Sequence, residues 1–245
     1  MARAWSNNEL KRFSPWFEGD AVNVSAWLDE DKQGRRYRDY FSGARSYAIT
    51  NHQSAGQIDP ALDSLTLDLE APLPVNLHQR FDVVFNHTTL EHVFDFQLAL
   101  KNMCDMSRDV VILVVPFLQQ QHQQPTFGDF WRFTPSAMER LLAQHEFSVV
   151  HNITNNELFA SVYVLTVATR YPERWKGRFE QLRPPASRAS RLKRALTYGF
   201  EMQVGSFAIP NLGYLTGTFL RKVGLKVGQM AGEVRTSEVG APEHN

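Results

Sequence analysis

Cysteine is almost absent from this chain of 245 residues, since Cys104 is the only one. An intramolecular disulfide needs two thiols and is therefore excluded. The single thiol also argues against a zinc site built from cysteines. We expect Cys104 to serve as a small apolar residue on a helix.

Long apolar runs are lacking as well. No stretch approaches the roughly eighteen apolar residues that cross a bilayer, and the first residues have no apolar core of the kind found in a signal peptide. These two absences predict a cytoplasmic protein.

The formal net charge of zero hides an uneven distribution. Residues 1–169 carry 13 Lys and Arg against 20 Asp and Glu, whereas residues 170–245 carry 13 against 6. The basic residues concentrate in 174–194, where Glu180 is the only acid. Such a cluster indicates an anionic partner, a solvated linker or a face that docks on the acidic body. No nucleic-acid-binding module is recognisable, and the acidic body argues against general nucleic-acid binding.

Residues 170–235 form a basic C-terminal extension whose composition differs from the body. Prolines and glycines interrupt its apolar residues, and Pro210 breaks the longest hydrophobic stretch, so short amphipathic helices are predicted. Residues 174–230 either rest on an anionic membrane surface or cover the body or a second subunit, as in a homodimer. Residues 236–245 are predicted to be disordered.

Alternating strands and helices are predicted for the body of the chain. Apolar or alternating runs predict strands at 21–27, 46–50, 64–68, 81–85, 109–118, 147–150 and 161–168. Helical spacing predicts an amphipathic helix from Leu90 to about Met106, and Thr134 and Pro135 predict the cap and first turn of another. Residues 1–20 are an aromatic-rich N-terminal arm. This pattern predicts a Rossmann-like α/β fold, with a seven-stranded, mostly parallel sheet, a final antiparallel pair and helices on both faces.

Polar side chains stand where the fourth predicted strand ends. Residues 81–85 are almost entirely apolar and are followed by Asn86 and His87. In open parallel sheets, ligands bind beyond the carboxyl ends of the strands, so these two residues stand where chemistry is usually done. His87 is predicted to be a second base or a substrate contact.

A further histidine, His122, lies on a polar loop after the most apolar strand. An imidazole with the ordinary pKa of about 6.5 accepts a proton near neutral pH, so His122 is predicted to be a general base that acts on a hydroxyl. The alternative is a loop histidine that fixes Asp129 or the backbone.

Asp129, Trp131 and Arg132 follow this histidine and are predicted to bind the substrate. Asp129 and Arg132 either line the substrate pocket or pair with each other as a structural clasp. Trp131 is either a core residue or a platform on which a sugar stacks.

Glu91 and His92 are predicted to open the helix after the fourth strand. An acid in the first turn interacts favourably with the helix dipole, so we interpret this pair as structural. No metal site is predicted from His87, His92 and His122, because a spacing of five at the start of a helix points two imidazoles to different faces.

Two segments resemble class I S-adenosylmethionine-dependent methyltransferases. Residues 81–85 (FDVVF) and 90–93 (LEHV) resemble the FDvV…LEHv segment of the small-molecule branch. Residues 116–118 (PFL), His122 and residues 129–135 (DFWRFTP) are similar to the PFL…H…DYWRFTP segment of a bacterial subgroup met among glycan and O-antigen enzymes.

The resemblance spans about residues 21–169. It implies S-adenosylmethionine as cofactor and methyl transfer to a hydroxyl of a small acceptor, such as a sugar or glycan precursor. The alternative is a non-catalytic relative that keeps the fold to bind a partner or a glycan precursor.

The resemblance also implies a cofactor site at the strand ends. Its residues would be Asn23, Ser25, Asn51, Asp68, Leu69 and Asn86. The family's first strand normally ends in a Gly-x-Gly-x-Gly turn that lets the backbone approach the cofactor. This chain lacks that motif, because the first glycine after the start of its first strand is Gly34. Asn51 stands where the family has an acid for the ribose hydroxyls, and it offers only a neutral carbonyl. Asp68 corresponds to the acid that contacts the adenine region.

Overall fold

The structure is a computed structural model that describes residues 2–52, 63–119, 121–125, 127–155 and 163–182. The basic C-terminal extension beyond residue 182, its predicted membrane or subunit contacts and the predicted disordered end lie outside the described residues. No helix in the described part of the chain is long and apolar enough to cross a membrane.

Within the described residues, seven strands form one sheet. They are β1 (Asp20–Val24), β2 (Ser46–Asn51), β3 (Asp63–Thr66), β4 (Phe81–His87), β5 (Ser107–Pro116), β6 (Ser148–Thr154) and β7 (Tyr163–Thr169). Their order across the sheet is β3-β2-β1-β4-β5-β7-β6. The pairs among β1 to β5 are parallel, whereas β7 runs antiparallel to both β5 and β6. The predicted Rossmann-like sheet with a final antiparallel pair is confirmed.

Helices cover both faces of this sheet. The α-helices in the described part of the chain are α1 (Ala2–Phe13), α2 (Phe96–Met106), α3 (Pro135–Ala143) and α4 (Pro172–Leu182). One hydrophobic core contains side chains of α2 and α3, and the other contains side chains of α1 and α4. Strand β5 contributes alternate residues to the two cores, as a strand buried on both faces must.

Cys104 lies on α2 and is fully buried, in agreement with its predicted role as a small apolar residue on a helix. Burial raises the pKa of its thiol to about 12. The cap predicted for α3 is also present, because Thr134 Oγ1 accepts a hydrogen bond from the backbone N–H of Ala137 at 3.1 Å and Pro135 is the first helical residue.

The helix predicted to start at Leu90 begins later. Residues Leu90–His92 form a separate short 3-10 helix, and α2 starts at Phe96. Asp95 is the physical reason, since its Oδ1 accepts a hydrogen bond from the backbone N–H of Leu98 at 3.0 Å and caps α2 there. Glu91 therefore does not lie in the first turn of α2, and its predicted dipole interaction with that helix is wrong.

Candidate active site

The strand order of the sheet reverses between β1 and β4. Strands β2 and β3 lie on one side of β1, whereas β4 and β5 lie on the other. The carboxyl ends of these two strands are level, with Val24 paired to Asn86. In open α/β sheets this switch point is the usual place for a ligand. The residues that follow β1 and β4 therefore define the candidate site.

The turn after β1 has an unusual backbone. Ser25, Trp27 and Asp29 have φ values of 55°, 56° and 61°, which is the left-handed region that favours glycine. Their spacing of two residues is that of the Gly-x-Gly-x-Gly turn that the sequence lacks. Strand β1 consequently ends at Val24, so the prediction that it extends to Trp27 is wrong. The turn has the backbone conformation that glycine favours, although it contains no glycine.

Asn23 fixes this turn from below. Its Nδ2 donates a hydrogen bond of 2.8 Å to Asp29 Oδ1, which also accepts 2.7 Å from the Tyr47 hydroxyl. Asp29 is fully buried, and its other oxygen accepts the backbone N–H of Arg38 at 2.9 Å. Burial raises the pKa of Asp29, while these hydrogen bonds act in the opposite direction. Asn23 thus stabilises the β1 turn through its hydrogen bond to Asp29.

Asn51 holds the same turn from the neighbouring strand. Its Oδ1 accepts the backbone N–H of Trp27 at 2.7 Å, and its Nδ2 donates to the Trp27 carbonyl at 3.0 Å. Asn51 is only 5% exposed, so its amide is engaged with the backbone. The side chain of Trp27, in contrast, is 59% exposed.

The remaining predicted cofactor residues lie in different settings. Asp68 is exposed beyond β3, with Oδ1 accepting the backbone N–H of Glu70 at 2.9 Å and Oδ2 lying 3.8 Å from His52 Nε2. Leu69 is buried in the core. Asn86 is fully buried, and its Nδ2 donates 2.8 Å to the carbonyl of Val24, which ties β4 to the end of β1.

His87 lies under the N-terminal helix. The Ser6 hydroxyl is 2.9 Å from Nε2, and the Thr88 hydroxyl is 3.1 Å from Nδ1, so both ring nitrogens have partners. Arg3 extends the contact, because it donates to Thr88 Oγ1 at 2.9 Å and to the Tyr37 hydroxyl at 3.2 Å. Burial, with the Arg3 charge as the next cause, holds the pKa of His87 well below its ordinary value. The imidazole is therefore neutral at physiological pH.

His122 forms a compact group with Asp129 and Arg132. Its Nδ1 lies 3.3 Å from Asp129 Oδ2, and the same oxygen accepts its backbone N–H at 2.7 Å. Arg132 grips the carboxylate with two hydrogen bonds of 2.6 and 2.7 Å. This arginine is the largest cause that lowers the pKa of Asp129 to about 2. Asp129 is thus ionised and fixed, and the His122 side chain remains 36% exposed.

Trp131 is anchored by its indole nitrogen, which lies 3.1 Å from the carbonyl oxygens of both Val93 and Phe94. Its ring packs beside Phe96, with centroids 4.9 Å apart, and it borders the core below α2. Trp131 is partly exposed in this position. It is therefore a core contact whose ring stays partly accessible, and its role as a platform for a sugar remains a prediction.

Glu91 and His92 are the site residues that the sequence reasoning missed. The His92 ring lies 4.9 Å from the His122 ring, and its Nδ1 is 2.6 Å from the carbonyl of Gly128. The Glu91 side chain is fully buried, and burial raises its pKa to about 8. The sequence could have indicated their place in the site, because β4 and β5 are adjacent parallel strands and the turns that follow them lie side by side at the carboxyl ends of the strands.

The structure thus brings the predicted residues into two groups. His122, Asp129 and Arg132 form one, together with Glu91 and His92. Asn23, Ser25 and Asn51 belong to the β1 turn, while His87 sits under α1 and Asp68 lies beyond β3.

No family model matches this chain, and no curated protein matches it. Solved structures share its architecture. A chain of the Haloferax volcanii complex that contains the Trm112 methyltransferase activator has 12% identity and a TM-score of 0.52, over 69% of this chain and 90% of that one. An S-adenosylmethionine-dependent methyltransferase from Mesorhizobium loti has 13% identity and a TM-score of 0.50, over 69% of this chain and 98% of that one. At these identities the likeness concerns the fold, which is that of S-adenosylmethionine-dependent methyltransferases.

Proposed function

We propose that this chain binds S-adenosylmethionine and transfers its methyl group to a hydroxyl of a small acceptor, such as a sugar or glycan precursor. The observation that carries the proposal is the turn after β1, where Ser25, Trp27 and Asp29 adopt the left-handed backbone at alternate positions. This turn stands at the switch point of a sheet with the methyltransferase strand order.

The residues at this edge fit such a cofactor in part. The exposed carboxylate of Asp68 is an acceptor suited to the adenosine portion, and the β1 turn is preformed by Asn23 and Asn51. Asn51 itself is occupied by the Trp27 backbone, so we assign it the shape of the turn and no direct contact with the ribose. When bound, S-adenosylmethionine supplies a methyl group on a positively charged sulfur.

His122 is assigned the removal of the acceptor's hydroxyl proton. With its proton on Nδ1, which lies 3.3 Å from Asp129 Oδ2, the imidazole has a lone pair on Nε2 that accepts a proton. Asp129 stabilises the imidazolium that forms, and Arg132 keeps that carboxylate in place. A methyl transfer to oxygen needs little else from the protein than this base and a nucleophile held in line with the methyl group.

Acceptor contacts are assigned to Trp131 and to the open side of His122. The anchored, partly exposed indole offers a rigid aromatic face for a sugar ring. The guanidinium of Arg132 is committed to Asp129, so its contribution to acceptor binding is indirect.

Calorimetric titration with S-adenosylmethionine and with its demethylated product tests the cofactor assignment. A dissociation constant in the micromolar range, equivalent to about −8 kcal/mol, is the expected result. The absence of heat and of a thermal shift at millimolar cofactor would contradict the proposal.

Replacement of His122 by Ala tests the assignment of the base. We expect methyl transfer to a panel of sugar and nucleotide-sugar acceptors to fall by roughly 10²- to 10⁴-fold, while cofactor affinity stays unchanged. His78→Ala is the matched control, because His78 is exposed and belongs to neither group of site residues. Equal turnover in the two variants would show that His122 is not the base.

The second candidate is a non-catalytic protein that keeps this fold to bind a partner or a glycan precursor. Two features favour it: the occupied amide of Asn51 and the bulky, exposed Trp27 in the β1 turn. Failure of cofactor binding in a folded, thermally cooperative protein is the result that would select this function.

A further inference from the structure

Three side chains with metal-binding chemistry meet beyond β4 and β5. Glu91, His92 and His122 each offer a ligand atom, and these atoms all lie within 4.8 Å of one another. Ligand atoms around a tetrahedral zinc ion lie roughly 3.4 Å apart, given bond lengths near 2.1 Å. Small rotations of these side chains, which move the atoms by about 1 Å, would therefore complete the site.

Both histidines already have an oxygen atom beside Nδ1 of the kind that orients metal-binding histidines. A metal-ligating imidazole almost always donates its other ring N–H to a backbone carbonyl or a carboxylate. The Nδ1 of His92 is 2.6 Å from the carbonyl of Gly128, and the Nδ1 of His122 is 3.3 Å from Asp129 Oδ2. The carbonyl of Gly128 requires a proton on Nδ1 of His92, which leaves the lone pair of Nε2 for a cation. A proton on Nδ1 of His122, on the side of Asp129, would leave its Nε2 available in the same way.

Glu91 is the second, independent observation. Its side chain is fully buried, and neither carboxylate oxygen accepts a hydrogen bond of good geometry from another described residue. His92 Nε2 is 3.7 Å from Oε1. A buried carboxylate without partners is costly unless a cation balances it. The charges of Arg132 and Arg3 favour the ionised form of Glu91 and lower its pKa, but neither guanidinium donates a hydrogen bond to the Glu91 carboxylate.

We propose that Glu91, His92 and His122 bind a divalent transition-metal ion of the zinc type, through one carboxylate oxygen and one ring nitrogen of each histidine. Two imidazoles favour zinc, iron, cobalt or nickel over magnesium and calcium, which prefer oxygen ligands. Three protein ligands leave at least one coordination position open. The oxygen of a water molecule or of an acceptor hydroxyl would occupy it.

This inference goes beyond the proposed methyl transfer and does not depend on it. With a cation bound, His122 would serve as a ligand, and the cation would lower the pKa of a bound hydroxyl, whose proton would pass to solvent. In the metal-free protein His122 remains the proton acceptor. Asp129 and Arg132 keep one task in both forms, which is to orient the imidazole.

Binding of Co²⁺ to the full-length chain, after treatment with a chelator, provides the test. Visible d–d absorption and thermal unfolding should report one Co²⁺ per chain, a raised Tm and displacement by Zn²⁺. Glu91→Gln and His122→Ala should each weaken Co²⁺ binding by at least about tenfold, and Asp129→Asn by a similar factor through the orientation of His122. His78→Ala should bind Co²⁺ as the unaltered chain does.

The metal-free variants separate a lost ligand from a lost fold. Glu91→Gln keeps the shape of the side chain and cannot carry the negative charge that a bound cation would balance, so its Tm without metal should equal or exceed that of the unaltered chain. No Co²⁺ uptake at millimolar concentration, or equal affinity in Glu91→Gln and the unaltered chain, would overturn the proposal. Binding of S-adenosylmethionine without uptake of Co²⁺ would contradict the metal site alone. Uptake of Co²⁺ without binding of S-adenosylmethionine would contradict the methyltransferase assignment alone.

Discussion

Single side chains impose the backbone of the β1 turn. A non-glycine residue in the left-handed region costs about 1 kcal/mol or more, and Ser25, Trp27 and Asp29 all adopt it. Buried hydrogen bonds offset this cost, because Asn51 binds both backbone groups of Trp27 and Asn23 binds Asp29. The turn therefore depends on polar residues that a search for glycine does not find.

Replacement of Asn51 by Ala should destabilise the protein by about 2 kcal/mol, since the N–H and the carbonyl of Trp27 would lose their buried partners. The midpoint of urea unfolding measures this change. Asn76→Ala is the matched control on an exposed residue, and its effect should stay within about 0.5 kcal/mol. Equal midpoints would show that the clamp on Trp27 contributes nothing.

Trp27→Gly tests whether the bulky residue limits cofactor binding. Glycine adopts the φ of 56° without strain and allows a ligand to approach the backbone, so S-adenosylmethionine should bind about tenfold more tightly, or 1.4 kcal/mol. Leu28→Gly is the control, since Leu28 is a half-exposed neighbour with an ordinary backbone. Calorimetry that shows weaker binding to Trp27→Gly would mean that the indole itself contacts the cofactor.

At the scale of elements, α1 serves both the core and the site. Leu10 and Phe13 point into the core that α4 shares, while Arg3 and Ser6 reach Thr88 and His87 beyond β4. The sequence indicated an aromatic arm at this end and gave no sign of its polar contacts. Those contacts join residues about 80 positions apart, and no local periodicity records such a distance.

Phe13→Ala should cost about 3–5 kcal/mol, because the ring is fully buried among Trp16, Phe17 and Phe179. Urea unfolding at equilibrium checks the value. Val75→Ala, which truncates an 87% exposed side chain, should change it by less than about 0.5 kcal/mol. A cost below about 1 kcal/mol for Phe13→Ala would mean that α1 is not part of the cooperative core.

Regular elements were predictable because they are local. The apolar run of β5 and the Thr134-Pro135 cap determine their own structure, and the alternation of strands and helices predicts the parallel sheet. The site was predictable only in part, since His122 and Asp129 lie seven residues apart on one loop. His92 joins them across strands, and the early start assumed for α2 concealed this meeting.

At the scale of the whole molecule, the two ends of the parallel strands differ in chemistry. His87, His92, His122 and the β1 turn lie at the carboxyl ends. At the amino ends there is a cavity of about 550 Å³ with Arg45, Arg108 and Asp82 in its lining. Ion pairs concentrate there, because Arg108 binds both Asp82 and Asp20 and Arg45 also binds Asp20. These ion pairs, like the Asp129–Arg132 pair at the carboxyl ends of the strands, should therefore weaken in acid.

Hydrogen bonds from Arg45 are the largest cause that lowers the pKa of Asp20 to about 2, and Arg108 lowers that of Asp82. An unfolded aspartate titrates near 3.9. A carboxyl whose folded pKa is depressed stabilises the protein above the unfolded pKa, and this contribution disappears as the pH falls through the folded pKa. The free energy of unfolding should thus decline between about pH 4 and pH 2.

Asp20→Asn isolates this contribution. The variant should be less stable than the unaltered chain at pH 6, and the difference should shrink as the pH approaches 2, where Asp20 becomes protonated in the unaltered chain too. Urea midpoints across this range provide the measurement, with Glu30→Gln as a control on an exposed carboxylate. A difference that stays constant with pH would show that Asp20 acts through its neutral hydrogen bonds, such as that from the Ser46 hydroxyl, and not through its charge.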